Sequence, residues 1–229
     1  MKEEKFLTDK FVTYKELVAL LKNIEDYRDR LLIMLVFEGY YPLLEEIQEL
    51  KLEDFVDGRT KYLKGRNITD CTARLIKKAS EEKEIHTYSK FNGGVDKLIE
   101  SNYLLRERVG YAKRVDIEVN ENFNGYAMNR QSIINRFSKI KRKYGLTLSL
   151  SSIYGSGVIH RVDISLRDEV VNNVKGVRML CLRKMGQKDG VKEAMARVYY
   201  KEYLKMLPRI LEQARKRSNQ KEIEMEVEE

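Results

Sequence analysis

Seven consecutive apolar residues, Leu31-Leu32-Ile33-Met34-Leu35-Val36-Phe37, follow the charged Arg28-Asp29-Arg30 and run into Glu38-Gly39. Such a run is far too short to cross a bilayer, which takes about 20 residues. It reads as a helix over Asp26–Glu38 with a strongly apolar face, punctuated by Gly39 and Pro42. With only two prolines and 13 glycines in 229 residues, there is little room for a low-complexity or disordered chain.

Helical patterns dominate. Thr13-Tyr14-Lys15-Glu16 is a capping box, with Leu17, Leu20 and Leu21 at helical spacing up to Asn23. Leu44–Leu50 predicts a short helix, and Asp54–Leu63 a hairpin turning at Asp57-Gly58. Asp70–Glu82 predicts a helix capped by Asp70. Ile85–Phe91 predicts a strand broken by Asn92-Gly93-Gly94, and Val95–Ser101 a short helix. Within Leu104–Val119 the later part reads as strand. The clearest element is Asn129–Tyr144, where Ile133, Ile134, Phe137, Ile140 and Tyr144 form one stripe and Gly145 stops the helix. After Ser149–His160 come helices around Leu166–Val174, over Val177–Met185 (capped by Gly186) and over Val191–Leu207. Pro208 kinks or restarts the last, and Ile210–Arg217 continues it. The expected fold class is mainly α with a small antiparallel β-sheet. One domain over 13–217 follows an extension, 1–12, and precedes a mobile acidic tail, 218–229, in which Glu222–Glu229 hold five glutamates.

Charge is distributed unevenly. Residues 1–58 hold eight Lys/Arg against 14 Asp/Glu, whereas residues 122–221 hold 22 against seven. Between Asn122 and Val162 there are seven basic residues and no acid. An asymmetry extending over some hundred residues points to a polyanion, and so to nucleic acid, although any short basic run also serves as a solvated surface. Cys71 and Cys181 lie too far apart for a zinc or disulfide pattern, and His86 and His160 alone make no metal site. No cofactor, metal, membrane or small-molecule partner is expected. Met1-Lys2-Glu3-Glu4-Lys5 leads into no long apolar region, so the chain reads as soluble and cytoplasmic, at a bacterial nucleoid.

Tyr27–Gly39, followed by Glu46-Ile47-Gln48-Glu49-Leu50-Lys51-Leu52-Glu53-Asp54, resembles the first catalytic box of the tyrosine recombinases, the phage integrases. The family places an arginine two residues after the glycine. Counting forward from Gly39 reaches Tyr41, and counting back from Glu46 reaches Leu43. Asn129–Gly145 is similar to the helix before the second box. There Ser151 stands for the family's histidine and Tyr154 for its second arginine. Met185-Gly186-Gln187 resembles the Leu-Gly-His box, with Gln187 for histidine. Tyr199 and Tyr200 lie near the position of the nucleophilic tyrosine, and they also suit plain helix packing. The resemblance covers roughly residues 13 to 207, and the family's N-terminal core-binding domain has no counterpart.

The resemblance implies a recombinase catalytic-domain fold. It also implies attack of a tyrosine oxygen on a phosphodiester, a reaction that needs fixed cations around the phosphorus. With both arginines and both histidines replaced, a tyrosine near its ordinary pKa of ~10 has no activation. No strand cleavage is therefore expected. Double-stranded DNA binding survives such a loss, because phosphate contacts come from many side chains. Candidate contacts are Arg130, Arg136, Lys139, Lys141, Arg142 and Lys143 on the basic helix, and Lys61, Lys64 and Arg66 where the family keeps a catalytic lysine. Arg161 and a cluster of Arg178, Arg183, Lys184 and Lys188 near the third box complete the set.

The pattern also resembles the integrase-like lysogeny repressors of SPβ-like Bacillus phages, which implies repression at operator sites. The family passes a C-terminal helix to a neighbour, which gives Ile210–Arg217 a possible role in homo-oligomers. Two alternatives stay open. One is a working recombinase with relocated residues, Arg161, Arg178 and His160 being the replacements. The other is a protein-interaction antagonist of an integrase.

Overall fold

In this computed structural model the described residues are 11–41, 44–58, 61–88, 94–109, 127–167, 180–186 and 191–227. They form two compact units, one of residues 18–154 and one of 11–17 with residues from 155 onward. The boundary falls within helices α1 (Tyr14–Leu21) and α6 (Leu150–Arg167). The capping box of α1 is formed: Thr13 N donates to Glu16 Oε2 at 2.8 Å and Glu16 N to Thr13 Oγ1 at 3.3 Å.

The core of the first unit is α2 (Tyr27–Phe37), in which Leu31–Phe37 are all 1% exposed or less. Burying one such side chain is worth about 1.5–3 kcal/mol, so the run outweighs any surface ion pair. It packs chiefly against α4 (Asp70–Glu81) through Thr72, Ala73, Leu75, Ile76 and Ala79. The two helices cap each other. Glu38, past the end of α2, accepts from Thr69 N (2.9 Å), Thr69 Oγ1 (2.7 Å) and Thr72 Oγ1 (2.5 Å) at the start of α4. Glu82, past the end of α4, accepts from Tyr27 N and Arg28 N, both at 2.9 Å. Each carboxylate thus takes up orphan amides at the positive end of a helix dipole. The N-cap of α4 is Thr69, not Asp70 as the sequence suggested. Arg106 closes the other end of α4 by donating to the Ala79 and Glu82 carbonyls.

Helix α3 (Leu44–Gln48) leads through a short 3-10 turn into strands β1 (Phe55–Asp57), β2 (Lys61–Leu63) and β3 (Arg66–Asn67). The predicted hairpin is therefore extended by a third antiparallel strand, with Val56 opposite Tyr62 and Tyr62 opposite Asn67. The β2–β3 turn is Lys64-Gly65, both at positive φ (46° and 78°), as a two-residue hairpin turn requires. A second pair, β4 (Glu84–His86) and β5 (Val95–Lys97), is antiparallel with Ile85 opposite Asp96. This corrects the helix expected over Val95–Ser101. The ladder claims its backbone, and Leu98 is buried while Val95 is 53% exposed, so the apolar spacing serves an extended chain. The predicted strand in Leu104–Val119 lies mostly outside the described residues.

Helix α5 (Arg130–Lys143) matches its prediction, with Asn129 as N-cap and Gly145 at φ 63° behind it. One arginine on its buried face anchors it. Arg136 grips Asp29 with two bonds (Nε–Oδ1 2.8 Å, Nη2–Oδ2 2.7 Å), reaches Asp26 Oδ2 at 2.9 Å, and donates to the His86 carbonyl. The three side chains are at most 5% exposed. Burial works against the Arg136 charge, but Asp29 and then Asp26 outweigh it, and its pKa lies above the ordinary arginine value. Asp26 also accepts from the Tyr88 hydroxyl at 2.9 Å, and the Arg136 guanidinium lies 4.2 Å from the Tyr88 ring centre. Tyr88 holds φ 51°, a strained value for a non-glycine residue.

Helix α6, whose residues from Gly155 onward belong to the second unit, is one 18-residue helix, although the sequence suggests a break between His160 and Leu166. Residues 180–186 are helical, and 168–179 lie outside the described set. Helix α7 (Glu193–Val227) carries Pro208 within it and continues into the stretch expected to be an acidic tail. Phe11 and Val12, expected to be part of an N-terminal extension, are 3% exposed. Val12 N donates to Ser156 Oγ at 3.0 Å, and the Phe11 ring meets Tyr199 edge-on at 6.0 Å. Tyr14 stacks on His160 at 4.9 Å. Gly155 admits this packing, since a Cβ there would lie 2.5 Å from Phe11 Cε1 and 2.7 Å from Tyr199 Cε1.

Two predictions arise. Arg136→Ala leaves Asp26 and Asp29 buried without a counter-charge. It should cost about 3–5 kcal/mol in urea unfolding, and Arg136→Lys should restore little because the two-pronged grip is lost. Gly155→Ala gains about 1 kcal/mol of helix propensity but overpacks two rings at about 1–3 kcal/mol, so its melting temperature should fall.

Candidate nucleic-acid interface

The amphipathic spacing of α5 turns Ile133, Arg136, Phe137 and Ile140 inward. Arg130, Lys141, Arg142 and Lys143 are exposed and Lys139 is half-buried. The expectation that Arg136 reaches DNA is corrected here: its guanidinium is 5% exposed and is consumed by Asp29 and Asp26. The sequence did carry a signal for this. Arg136 lies between Ile133 and Ile140 on the apolar stripe, where a charge calls for a buried partner.

The remaining cations of the first unit differ in how they are neutralised. Arg130 lies 3.5 Å from Glu45, and Lys143 is 2.7 Å from Glu25 and 4.5 Å from the Tyr88 ring centre. Lys139, Lys141 and Arg142 make no ion pair among the described residues. In the hairpin every predicted contact already has an acid. Lys61 pairs with Asp70 at 3.0 Å, Lys64 with Glu49 at 3.3 Å and Arg66 with Glu46 at 3.0 Å. Arg66 also donates to the Gly39 carbonyl at 2.7 Å and lies over the Tyr40 ring, which makes it part of the fold. Of the predicted contacts in this unit, those without an acid are therefore on α5.

In the second unit Arg161 is half-buried on α6, Arg183 is exposed and Lys184 half-buried. Arg178 and Lys188 lie outside the described residues, as does Gln187. Tyr199 and Tyr200 are only 5% and 8% exposed, Tyr199 against Phe11, as helix packing would have it. Burial also pushes the Cys181 thiol up to about 11, so it is no nucleophile at neutral pH.

The first unit brings Tyr41, one of the two candidates for the first arginine position of the resemblance, to Tyr154, the candidate for the second. The rings of Tyr41 and Tyr154 lie 5.6 Å apart, centre to centre, tilted by 52°. Leu43, the other candidate for the first position, lies outside the described residues. Ser151, at the histidine position, is exposed and shares a 2.9 Å hydrogen bond with Ser149. Two residues distant in sequence are thus neighbours, and both are phenols. Sequence reasoning missed Arg108, whose Nη1 lies 2.8 Å from Asp96 Oδ2. Nothing in the pattern of 104–119 marks it out, because its partner comes from β5.

Among the described residues no helix is long and apolar enough to cross a membrane. No curated protein matches the chain. The sequence profile of the family described as "MrpR, C-terminal catalytic domain" matches residues 11–206, most of the 229-residue chain. The mainly helical architecture with small antiparallel sheets agrees with this match, and the chain belongs to the MrpR C-terminal catalytic domain family, a tyrosine-recombinase-like family.

Proposed function

We propose that this chain is a sequence-specific binder of double-stranded DNA, a phage or prophage repressor that maintains lysogeny on a recombinase fold without cutting DNA. The observation that carries the proposal is the Tyr41–Tyr154 pair. Two phenols meet where the resemblance calls for two guanidinium groups. Phenols near neutral pH supply no positive charge to a developing phosphorane, and losing one such donor typically costs about 10²–10³ in rate. The buried Tyr199 and Tyr200 support the same conclusion, since neither has the exposure a nucleophile needs.

DNA binding is supported by Lys139, Lys141 and Arg142, which no acid among the described residues neutralises, and by the exposed Arg183 of the second unit. Exposed ion pairs such as Lys64–Glu49 and Arg66–Glu46 are weak enough for a phosphate to displace the acid, so the hairpin contributes in second place. Repression, a location at the nucleoid and assembly through the C-terminal helix belong to the same proposal by resemblance. Leu204 and Leu211, seven residues apart on α7 and both about half exposed, suit a second copy.

The test is selection of genomic fragments by the purified chain, with the bound complexes run on a denaturing gel. Specific fragments without a covalent band are expected, and Tyr199→Phe with Tyr200→Phe should leave binding unchanged. A covalent band that this double substitution abolishes would establish a working recombinase instead. Replacing Lys141 and Arg142 with Ala should weaken binding uniformly across sequences, lower the salt slope by about 2, and change stability by less than about 0.5 kcal/mol. Binding of a protein partner that withstands high salt, with no DNA selected, would favour the integrase antagonist.

A further inference from the structure

We propose that Arg108, Lys139 and Arg142 form one phosphate subsite, which takes a single backbone phosphate of duplex DNA and holds Asp96 as its internal counter-charge. This deepens the proposed function and rests on the chain being a DNA binder. Arg136, Lys139 and Arg142 recur every three residues on α5, so each neighbours the next while the row turns from the core outward to solvent. Arg136 turns into the core and its charge is spent on Asp29 and Asp26. Lys139, one turn on, is half-buried, and Arg142 is exposed. Arg108 comes from a different segment, fixed beside β5 by the bridge between Leu98 and Arg108. Its side chain is 24% exposed and its Nη1 lies 2.8 Å from Asp96.

The bond from Arg136 to the His86 carbonyl sets α5 against β4, and β4 pairs with β5 so that Asp96 lies opposite Ile85, which brings the Arg108–Asp96 pair to this side of α5. Burial, and then the charges of Arg108, Arg136 and Arg142, hold the Lys139 ammonium below the ordinary lysine pKa, with Asp96 pulling the other way. Asp96 is already held by Arg108, so its carboxylate leaves Lys139 and Arg142 without an ion pair of their own among the described residues. Like charges placed this close destabilise a fold unless an anion relieves them. A phosphate diester has the right chemistry. Its two free oxygens suit a planar guanidinium, and a partly desolvated ammonium gains more from a neighbouring anion than a fully hydrated one does. Continuity selects backbone phosphate over a free ion. Lys141 lies on the same helix and Arg130 at its start, so the cations span a 14-residue helix, roughly 20 Å of axis.

Fluorescence anisotropy of the full chain with a short mixed-sequence duplex, over a range of salt, tests the subsite. Lys139→Met keeps the aliphatic stem, and it should lower the salt slope by about one and weaken binding about tenfold at moderate salt. Asp96→Asn should do the opposite, tightening binding and steepening the slope, a gain that misfolding cannot mimic. If the unsubstituted chain binds in a salt-dependent way and Lys141→Ala weakens it, yet Lys139→Met and Asp96→Asn change nothing, the subsite is wrong and the DNA reading stands. If the unsubstituted chain shows no salt-dependent binding at all, the DNA reading itself fails. Inorganic phosphate that raises the melting temperature of the unsubstituted chain but not of Lys139→Met, with DNA binding equal in both, would make this a free-anion site and overturn the backbone assignment.

Discussion

The buried contact of Arg136 with Asp29 and Asp26 is the constraint on which the first unit depends. It fixes α5 to the start of α2 and, through the His86 carbonyl, to β4. A charge removed from water has to be fully compensated, and here the two-pronged grip on Asp29, the bond to Asp26 and the Tyr88 ring supply that compensation. The stability obtained is modest for so costly a burial. What the cluster contributes is placement, because an arginine with this many fixed partners leaves α5 one rotational setting. The outward direction of Lys141 and Arg142 follows from the inward direction of Arg136.

The same economy appears at the α2–α4 pair. Glu38 and Glu82 each leave the end of one helix and cap the start of the other. Asp26, the N-cap of α2 by position, makes no capping bond, because its carboxylate serves Arg136, His86 and Tyr88. Glu82 takes over the amides that Asp26 leaves. Burial raises the Glu82 pKa, an effect that its two backbone hydrogen bonds only partly offset. The folded state therefore holds this proton more tightly than the unfolded chain. Its contribution favours folding below the ordinary glutamate pKa and is lost as pH rises through the folded value.

Function separates from fold in the distribution of paired charge. The hairpin cations Lys61, Lys64 and Arg66 are balanced by Asp70, Glu49 and Glu46, and Arg66 also braces Tyr40 and Gly39. On α5 the cations outnumber the acids within reach, which is the arrangement expected of a surface completed by an anionic partner. The Tyr41–Tyr154 contact has the opposite character, an aromatic pair in place of charge. The two sites thus differ in kind, one a cationic helix face and the other an aromatic contact.

The amino-acid sequence by itself determined the mainly helical class, the capping box at Thr13–Glu16, the helix Asn129–Tyr144 and the boxes that identify the family, because these depend on spacing within a few residues. It also located both phenols, Tyr41 and Tyr154, by counting from neighbouring motifs. Only the tertiary structure decided that Arg136 is a core anchor, that Thr69 caps α4, that 95–97 is a strand and that Arg108 pairs with Asp96. Each depends on a partner far along the chain: Asp29 for Arg136, Glu38 for Thr69, Glu84–His86 for the strand, Asp96 for Arg108. Local periodicity gives a side chain's face on its own element. Whether a charge on that face meets an acid, a carbonyl or solvent is set by long-range packing, and in this chain that separates Arg136, which holds the fold, from Lys141, which faces solvent.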